Sequence, residues 1–460
     1  MFAKFAFYLI LVDIERQKSY NSLRLYFKRG LIMDYIFETK EYKNNRKFYV
    51  IQAALEYFIA LTLTDAFLAK VLTHLGISDS VIGIVSSFIS LAFIFQILSS
   101  LVSRIRFKTK TIVVLFDTAA NVLFMSLYFV PFLPVTPGVR KVLALLAILM
   151  AYAVKYPVST IVYKWFNSFV SPYHRARFSA NKEMISLVSG MIFTTALGLV
   201  VDKFEGMGSI RGAFLFIGIT LFVISILNFW SIFSITDESE TETKAEKKSL
   251  KSILDNTIFN KNYRNVIVAG ALWDFARYFS IGFMGTFKTN DLMISVFAIQ
   301  IINMAASMVR LIFSKPVARY SDKFSFAKGL QLGITIAMVS FFVNIFTTDA
   351  TWYLVVIFTI LYNTAFTGIS ANTSNICYSY VNSEYITDAM AVKNCICGII
   401  GFVSSILGGI TLNYIQSNGN MFMGIPMYGQ QFLSAVSFVA CLMAVLYIKF
   451  VVSKQKVIVQ

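Results

Sequence analysis

The sequence predicts an all-α polytopic membrane protein, with twelve transmembrane helices arranged as two parallel six-helix halves. Three observations carry this. Of 460 residues, 57% are hydrophobic and only 14% charged, more apolar surface than one soluble core can hide. Apolar runs of about 20 residues, the length that crosses a hydrocarbon core as a helix, recur along the chain. The stretch from Arg177 to Asp202 also has a second copy from Asp388 to Asn413. In the first copy Ser186, Gly190, Thr194 and Gly198 fall on one helical face, and in the second Cys397, Gly401, Ser405 and Gly409 do the same. The offset of 211 residues that relates Gly190 to Gly401 also relates Lys182 to Lys393 and Asn167-Ser168-Phe169-Val170 to Tyr378-Ser379-Tyr380-Val381. Small residues at this spacing let a neighbouring helix approach closely, so Gly190, Gly198, Gly401 and Gly409 are expected to be helix-packing positions. A parallel repeat is one of the layouts used by secondary transporters.

Residues 1–47, a short apolar start followed by basic sequence, are too short in their apolar part to span and carry no cleavage signature. They are expected to form a cytoplasmic tail, and Met33 is an alternative start. The first half, 48–235, holds spans near 48–71, 81–102, 111–132 and 142–165, the repeat segment as the fifth, and 212–235 as the sixth. Composition turns acidic and then basic over 236–265, which predicts a cytoplasmic linker. The second half, 266–452, holds spans near 266–287, 292–316, 329–347, 352–375, 394–415 and 430–452, and 453–460 forms a cytoplasmic tail. Only Lys288 to Asp291 separate the seventh and eighth spans.

The formal charge of +17 reads as topology rather than as a nucleic-acid surface, because Lys and Arg concentrate in alternate loops. These include Arg104, Arg106, Lys108 and Lys110 after the second span and Lys315, Arg319, Lys323 and Lys328 after the eighth. Both termini are then cytoplasmic, and the expected location is the plasma membrane. Cys377, Cys395, Cys397 and Cys441 have no zinc or redox spacing and are expected to be packing residues. His74 and His174 fall in predicted loops, so no metal site is expected.

Two parallel six-helix halves with a long inside linker resemble the major facilitator superfamily over nearly all the chain after about Tyr49. That family carries a basic loop of the form Gly-x-Leu-Ala-Asp-Arg-x-Gly-Arg-Arg between spans two and three and again between eight and nine. Here the copies read Ser99-Ser100-Leu101-Val102-Ser103-Arg104-Ile105-Arg106-Phe107-Lys108 and Ala318-Arg319-Tyr320-Ser321-Asp322-Lys323-Phe324-Ser325. Both lack the glycines, and the first has Ser103 in place of Asp. The resemblance implies that Arg104, Asp322 and Lys323 are conformational gate candidates. Drug-exporting antiporters of the superfamily often carry Gly-Pro late in span five, where this chain has Gly198-Leu199.

Ionisable groups inside spans cost about 2.5–3.5 kcal/mol each on insertion scales, so each needs a partner or a wet cavity. They are Glu56, Asp65, Asp117, Lys155, Asp274, Arg277 and Arg310. Aligning Ala54-Leu55 with Ala271-Leu272 puts a carboxylate, Glu56 or Asp274, at matching depth in the first span of each half. The resemblance implies that these spans line the cavity, so Glu56 and Asp274 are expected to face each other there as substrate or proton sites. Desolvation would favour a neutral, proton-exchanging Glu56. The alternative for Asp274 is simple pairing with Arg277 one turn on. Lys155 could bind an anion, partner Glu56 or Asp117, or snorkel toward Lys164. Asp117 is expected to pair structurally near the basic loop, and Asp65 and Arg310 to snorkel from span ends. Tyr57, Trp273, Tyr278, Tyr152 and Tyr156 fit a cavity wall.

The function expected is secondary active transport of a small solute by alternating access, coupled to protons as symport or antiport, by a functional monomer in the bilayer with no cofactor. A drug or metabolite efflux antiporter is the alternative within that class. A membrane-embedded enzyme acting on a lipid-linked substrate would need catalytic residues clustered at one interface, and the two loop histidines do not cluster. A transporter-like sensor would bring a signalling domain. No Walker-type phosphate loop occurs.

Overall fold

The structure, a computed structural model, describes residues 39–98, 102, 107–170, 175–236 and 250–455. The N-terminal tail before Thr39, Arg104, His174 and residues 237–249 of the linker lie outside the described residues. Among the described residues ten helices are long and apolar enough to cross a membrane, from Thr109–Ser126 to Gly429–Lys454, and Asp79–Phe95 is a shorter apolar helix. The protein is therefore an all-α polytopic membrane protein.

The first two predicted spans are each broken, which corrects the expectation of uninterrupted helices. Lys40–Thr62 is followed by Asp65–His74, and Asp79–Ser86 by Phe88–Phe95. At the first break Asp65 takes φ +51, a left-handed conformation uncommon for a residue with a side chain. The buried Tyr128 hydroxyl donates to the Thr62 carbonyl at 2.6 Å, satisfying a group beside the break. At the second, the Ser87 hydroxyl donates to the Gly83 carbonyl at 3.2 Å and the Ser90 hydroxyl to the Ser87 carbonyl at 2.7 Å. Such back-bonding competes with the helical ladder and bends it.

Pro157, which lacks an N–H, interrupts the fourth span between Pro137–Lys155 and Ser159–Ser168. The fifth and sixth spans are Arg175–Gly206 and Ile210–Phe233. In the second half, Lys261–Ser280 starts earlier than the predicted 266, and the span ends in a π-helical turn, Phe287–Asp291. The eighth helix, Val296–Phe324, runs on through Pro316, so Lys315, Arg319 and Lys323 sit on a helix end rather than in the predicted loop. The remaining spans are Phe326–Asn344, Leu354–Asn375, Ile386–Ser417 and Gly429–Phe450.

Each half buries its own core. One gathers Ile59, Phe67, Leu72, Phe124, Tyr128 and Phe214, the other Tyr263, Trp273, Phe287, Phe341 and Phe358. Val296 and Ile299 of the eighth span join the first core, so the halves interlock there. The small-residue faces lie along these junctions, and their two ends meet different partners. An added β-carbon would come 2.6 Å from the Tyr57 ring at Gly190 and 2.5 Å from the Tyr278 ring at Gly401, both neighbours within the same half. At Gly198 it would come 3.0 Å from the Phe297 backbone, and at Gly409 2.8 Å from Ile84, both in the opposite half. The chain repeat is thus also a repeat in packing. All four cysteines are free thiols, and Cys377, Cys397 and Cys441 are buried.

Candidate functional site

A cavity of about 540 Å³ lies against the first, fourth and fifth spans and reaches Arg310 of the eighth. It runs from Glu56, Tyr57 and Asp117 toward Tyr49, Tyr163 and Lys182, on the side of the described chain ends. Its size suits a small organic solute. Glu56 is not alone in hydrocarbon: the Lys155 ammonium donates to its Oε1 at 2.9 Å. The same ammonium lies 3.8 Å from Asp117 Oδ1. Asp117 also accepts from Asn121 at 3.1 Å and from Asn228 at 2.6 Å. Asp117 therefore belongs to the cavity triad, not to the basic loop, and Lys155 does not snorkel away. The kink at Pro157 lies just beyond Lys155 and turns the fourth span along the cavity, so that Val158, Ser159, Val162 and Tyr163 line it. Near the mouth, Lys182 donates to the Tyr49 hydroxyl at 2.9 Å and lies over its ring.

The expected meeting of Glu56 with Asp274 does not occur as a contact, because Glu56 is taken up by Lys155 within its own half. Asp274 and Arg277 do not form the anticipated ion pair either; among the described residues the ion pairs inside spans involve Glu56, Asp117, Lys155, Asp65 and Lys288. The Arg277 guanidinium instead stacks over Tyr278 at 4.8 Å and Phe366 at 5.1 Å. Trp273 is 4% exposed and packs edge-on to Phe366, a core residue rather than a cavity wall. Tyr57 does line the cavity. Arg310 lines it too and lies over Phe366 at 5.9 Å, so it does not snorkel outward.

At the end of the molecule away from the described chain ends, the halves are tied by polar contacts that sequence reasoning missed. Lys288 donates to Asp65 at 2.7 Å, and Asn303 donates to the same carboxylate at 3.0 Å. Asp79 accepts from Asn290 at 2.8 Å and from Gln416 at 3.1 Å. Asp202 accepts from the Val296 and Phe297 amides at 3.0 and 3.1 Å, capping the eighth span from the fifth. These contacts join the first half to the second at this end. The available signal was the polar run Lys288 to Asp291, which looked only like a weak boundary; π-helical turns of this kind gather at functional places. Asp65 is likewise a docking residue, not a snorkelling one. Asp322 and Lys323 are exposed at the opposite end. Between the ties and the main cavity sits a polar pocket of about 140 Å³ lined by Tyr57, Asp65, Thr194, Gln300, Asn303 and Asn363.

Among the described residues, no group of three His, Cys, Asp or Glu side chains is placed to hold a metal ion. No curated protein matches the chain in sequence. Solved structures that match in fold are those of transporters. A point mutant of the nucleoside transporter NupG superposes with a TM-score of 0.69 at 13% identity, covering 88% of this chain and 99% of the other. A bacterial homologue of the human lysosomal transporter Spinster, in an inward-facing state, gives 0.63 at 15% identity, with 90% and 98% covered. The POT-family transporter PepTSo gives 0.63 at 12%, with 88% and 97% covered. The family model described as Major Facilitator Superfamily matches residues 51–405. With that match over most of its length and this helical architecture, the chain belongs to the Major Facilitator Superfamily and is a membrane transporter, not an enzyme.

Proposed function

We propose that the protein is a secondary active transporter that moves a small organic solute by alternating access and couples it to protons through the Glu56, Lys155 and Asp117 triad. The observation that supports this most is the cavity itself, which holds the triad at its inner end and extends toward the chain ends while polar ties join the halves at the far end. Two carboxylates around one ammonium leave one negative charge, which a proton or a cationic group of a substrate balances. With basic loops inside, the chain ends and linker are cytoplasmic, the state described is inward-open, and the membrane is the plasma membrane. The protein acts as a monomer, each chain having its own cavity. A nucleoside, the solute named for one neighbouring structure, is a small organic solute of the kind this reading expects, and export and import are both compatible with it.

The test is reconstitution into vesicles with an imposed pH gradient. Glu56→Gln keeps the size and hydrogen-bonding capacity but cannot release a proton, so it should lose gradient-driven accumulation while keeping exchange at equilibrium. Wild-type accumulation in this variant removes the proton role. Loss of binding instead points to Glu56 contacting a cationic substrate. Reporter fusions after Lys251 and at the C-terminus are expected inside, and one between Pro134 and Gly138 outside.

A further inference from the structure

Resting on that reading, the second half of the protein holds two arginines, Arg277 and Arg310, that form no ion pair among the described residues. In the first half each cavity cation has its partner: Lys155 has Glu56 and Asp117, and Lys182 has the Tyr49 hydroxyl. Arg277 of the seventh span and Arg310 of the eighth flank one ring, Phe366 of the tenth, at 5.1 and 5.9 Å from its centroid. Neither makes an ion pair among the described residues. The Arg277 Nε is buried without a hydrogen-bond partner, and the Tyr362 hydroxyl lies beside the same guanidinium. Among the described residues neither Asp274, a turn before Arg277, nor Glu183, which lines the cavity, forms an ion pair.

Two guanidinium groups in a membrane interior repel each other and are costly unless an anion joins them. Stacking on a ring face holds a guanidinium in position while leaving its in-plane N–H groups free, the arrangement that recognises carboxylate and phosphate by two parallel hydrogen bonds. We propose that the transported solute is an organic anion whose carboxylate or phosphate is bound by Arg310 at the cavity wall, with Arg277 beside the same Phe366 ring adding positive charge, and with its apolar body against the cavity aromatics Tyr57 and Phe166. Arg310, which lines the cavity, makes the contact.

The full-length purified protein is tested by thermal unfolding against matched pairs: benzoate and benzamide, phenyl phosphate and phenol, uridine monophosphate and uridine. At least one anion is expected to raise the midpoint while its neutral partner does not, and the pairs separate carboxylate from phosphate. Arg310→Gln should require at least about tenfold more anion for the same shift, and Arg310→Lys should retain part of it. The bound anion should also slow phenylglyoxal modification of Arg310 in the wild-type chain, a reading independent of how the variants fold. Equal stabilisation by the neutral partners, no stabilisation by any anion, or an undiminished shift in a folded Arg310→Gln overturns the proposal. Counterflow in vesicles separates the two levels. Exchange of a neutral solute alone keeps the transport reading and removes the anion, whereas anion binding without exchange keeps the site and removes the transport reading.

Discussion

Asp65 and Lys288, 223 positions apart, meet at 2.7 Å across the two halves, with Lys288 almost fully buried. Lys288 comes from the π-helical turn that ends the seventh span, and Asp65 opens the second helix of the broken first span in a left-handed conformation. Both backbone irregularities therefore serve one contact. If it holds the far end closed, losing it should shift the population toward the state open at that end.

Lys288→Met leaves Asp65 with Asn303 as a neutral partner and should weaken closure by on the order of 2 kcal/mol, between the values for exposed and fully buried pairs. Cysteine labelling at Thr64 from the far side should then rise more than about tenfold, since each 1.4 kcal/mol is a factor of ten. Unchanged labelling removes the gate assignment.

The triad is expected to behave as one unit. Lys155→Met leaves Glu56 and Asp117 without their shared cation and should lower stability by about 3 kcal/mol, while Glu56→Gln alone costs less because Lys155 keeps Asp117. A double-mutant cycle between the two positions should give a coupling above about 1 kcal/mol. Additive effects would mean that the 2.9 Å contact carries no energy.

The two ends of each small-residue face should respond differently. Gly198→Leu meets the Phe297 backbone, which cannot yield as a side-chain tip can, and so should prevent the halves from closing at the far end. Gly190→Leu displaces the Tyr57 ring and should impair solute binding without holding that end open. Accessibility labelling combined with a binding assay distinguishes them; identical phenotypes would show that neither face sets a conformation.

Asp202 caps the eighth span from the opposite half, so its substitution weakens a contact that exists only in the closed far end. Asp202→Ala should cost this state about 1 kcal/mol, and Asp202→Asn less, because Asn keeps one acceptor. Hydrogen exchange at the Val296 and Phe297 amides should accelerate in the same order. Equal protection in all three proteins would show that the cap does not form in the membrane.

The membrane class, the approximate span positions, with ends up to eight residues off at Lys40, Phe324 and Ile386, and the family were legible in the chain because they depend on local quantities: apolar run length, the side on which Lys and Arg collect, and a repeat at constant offset. The same locality explains the errors. Breaks at Thr64 and Ser87 arise from single residues and tertiary partners such as Tyr128, which no average over a window registers. Glu56 and Lys155 could be listed as costly groups needing partners, but their pairing depends on how the first and fourth spans rotate about their axes.

Asp274 and Arg277 show the converse. One helical turn of separation permits a pair, yet the guanidinium turns to Phe366 and Tyr278 instead. Asp65, Lys288, Asp79, Asn290 and Gln416 come from distant segments, and each alone looks like a polar residue at a span end. Sequence composition decides that a charge in a span must find a partner, because hydrocarbon offers none. Only the packing of the helices decides which partner it is, because a contact between residues 223 apart is set by the joint orientation of whole helices.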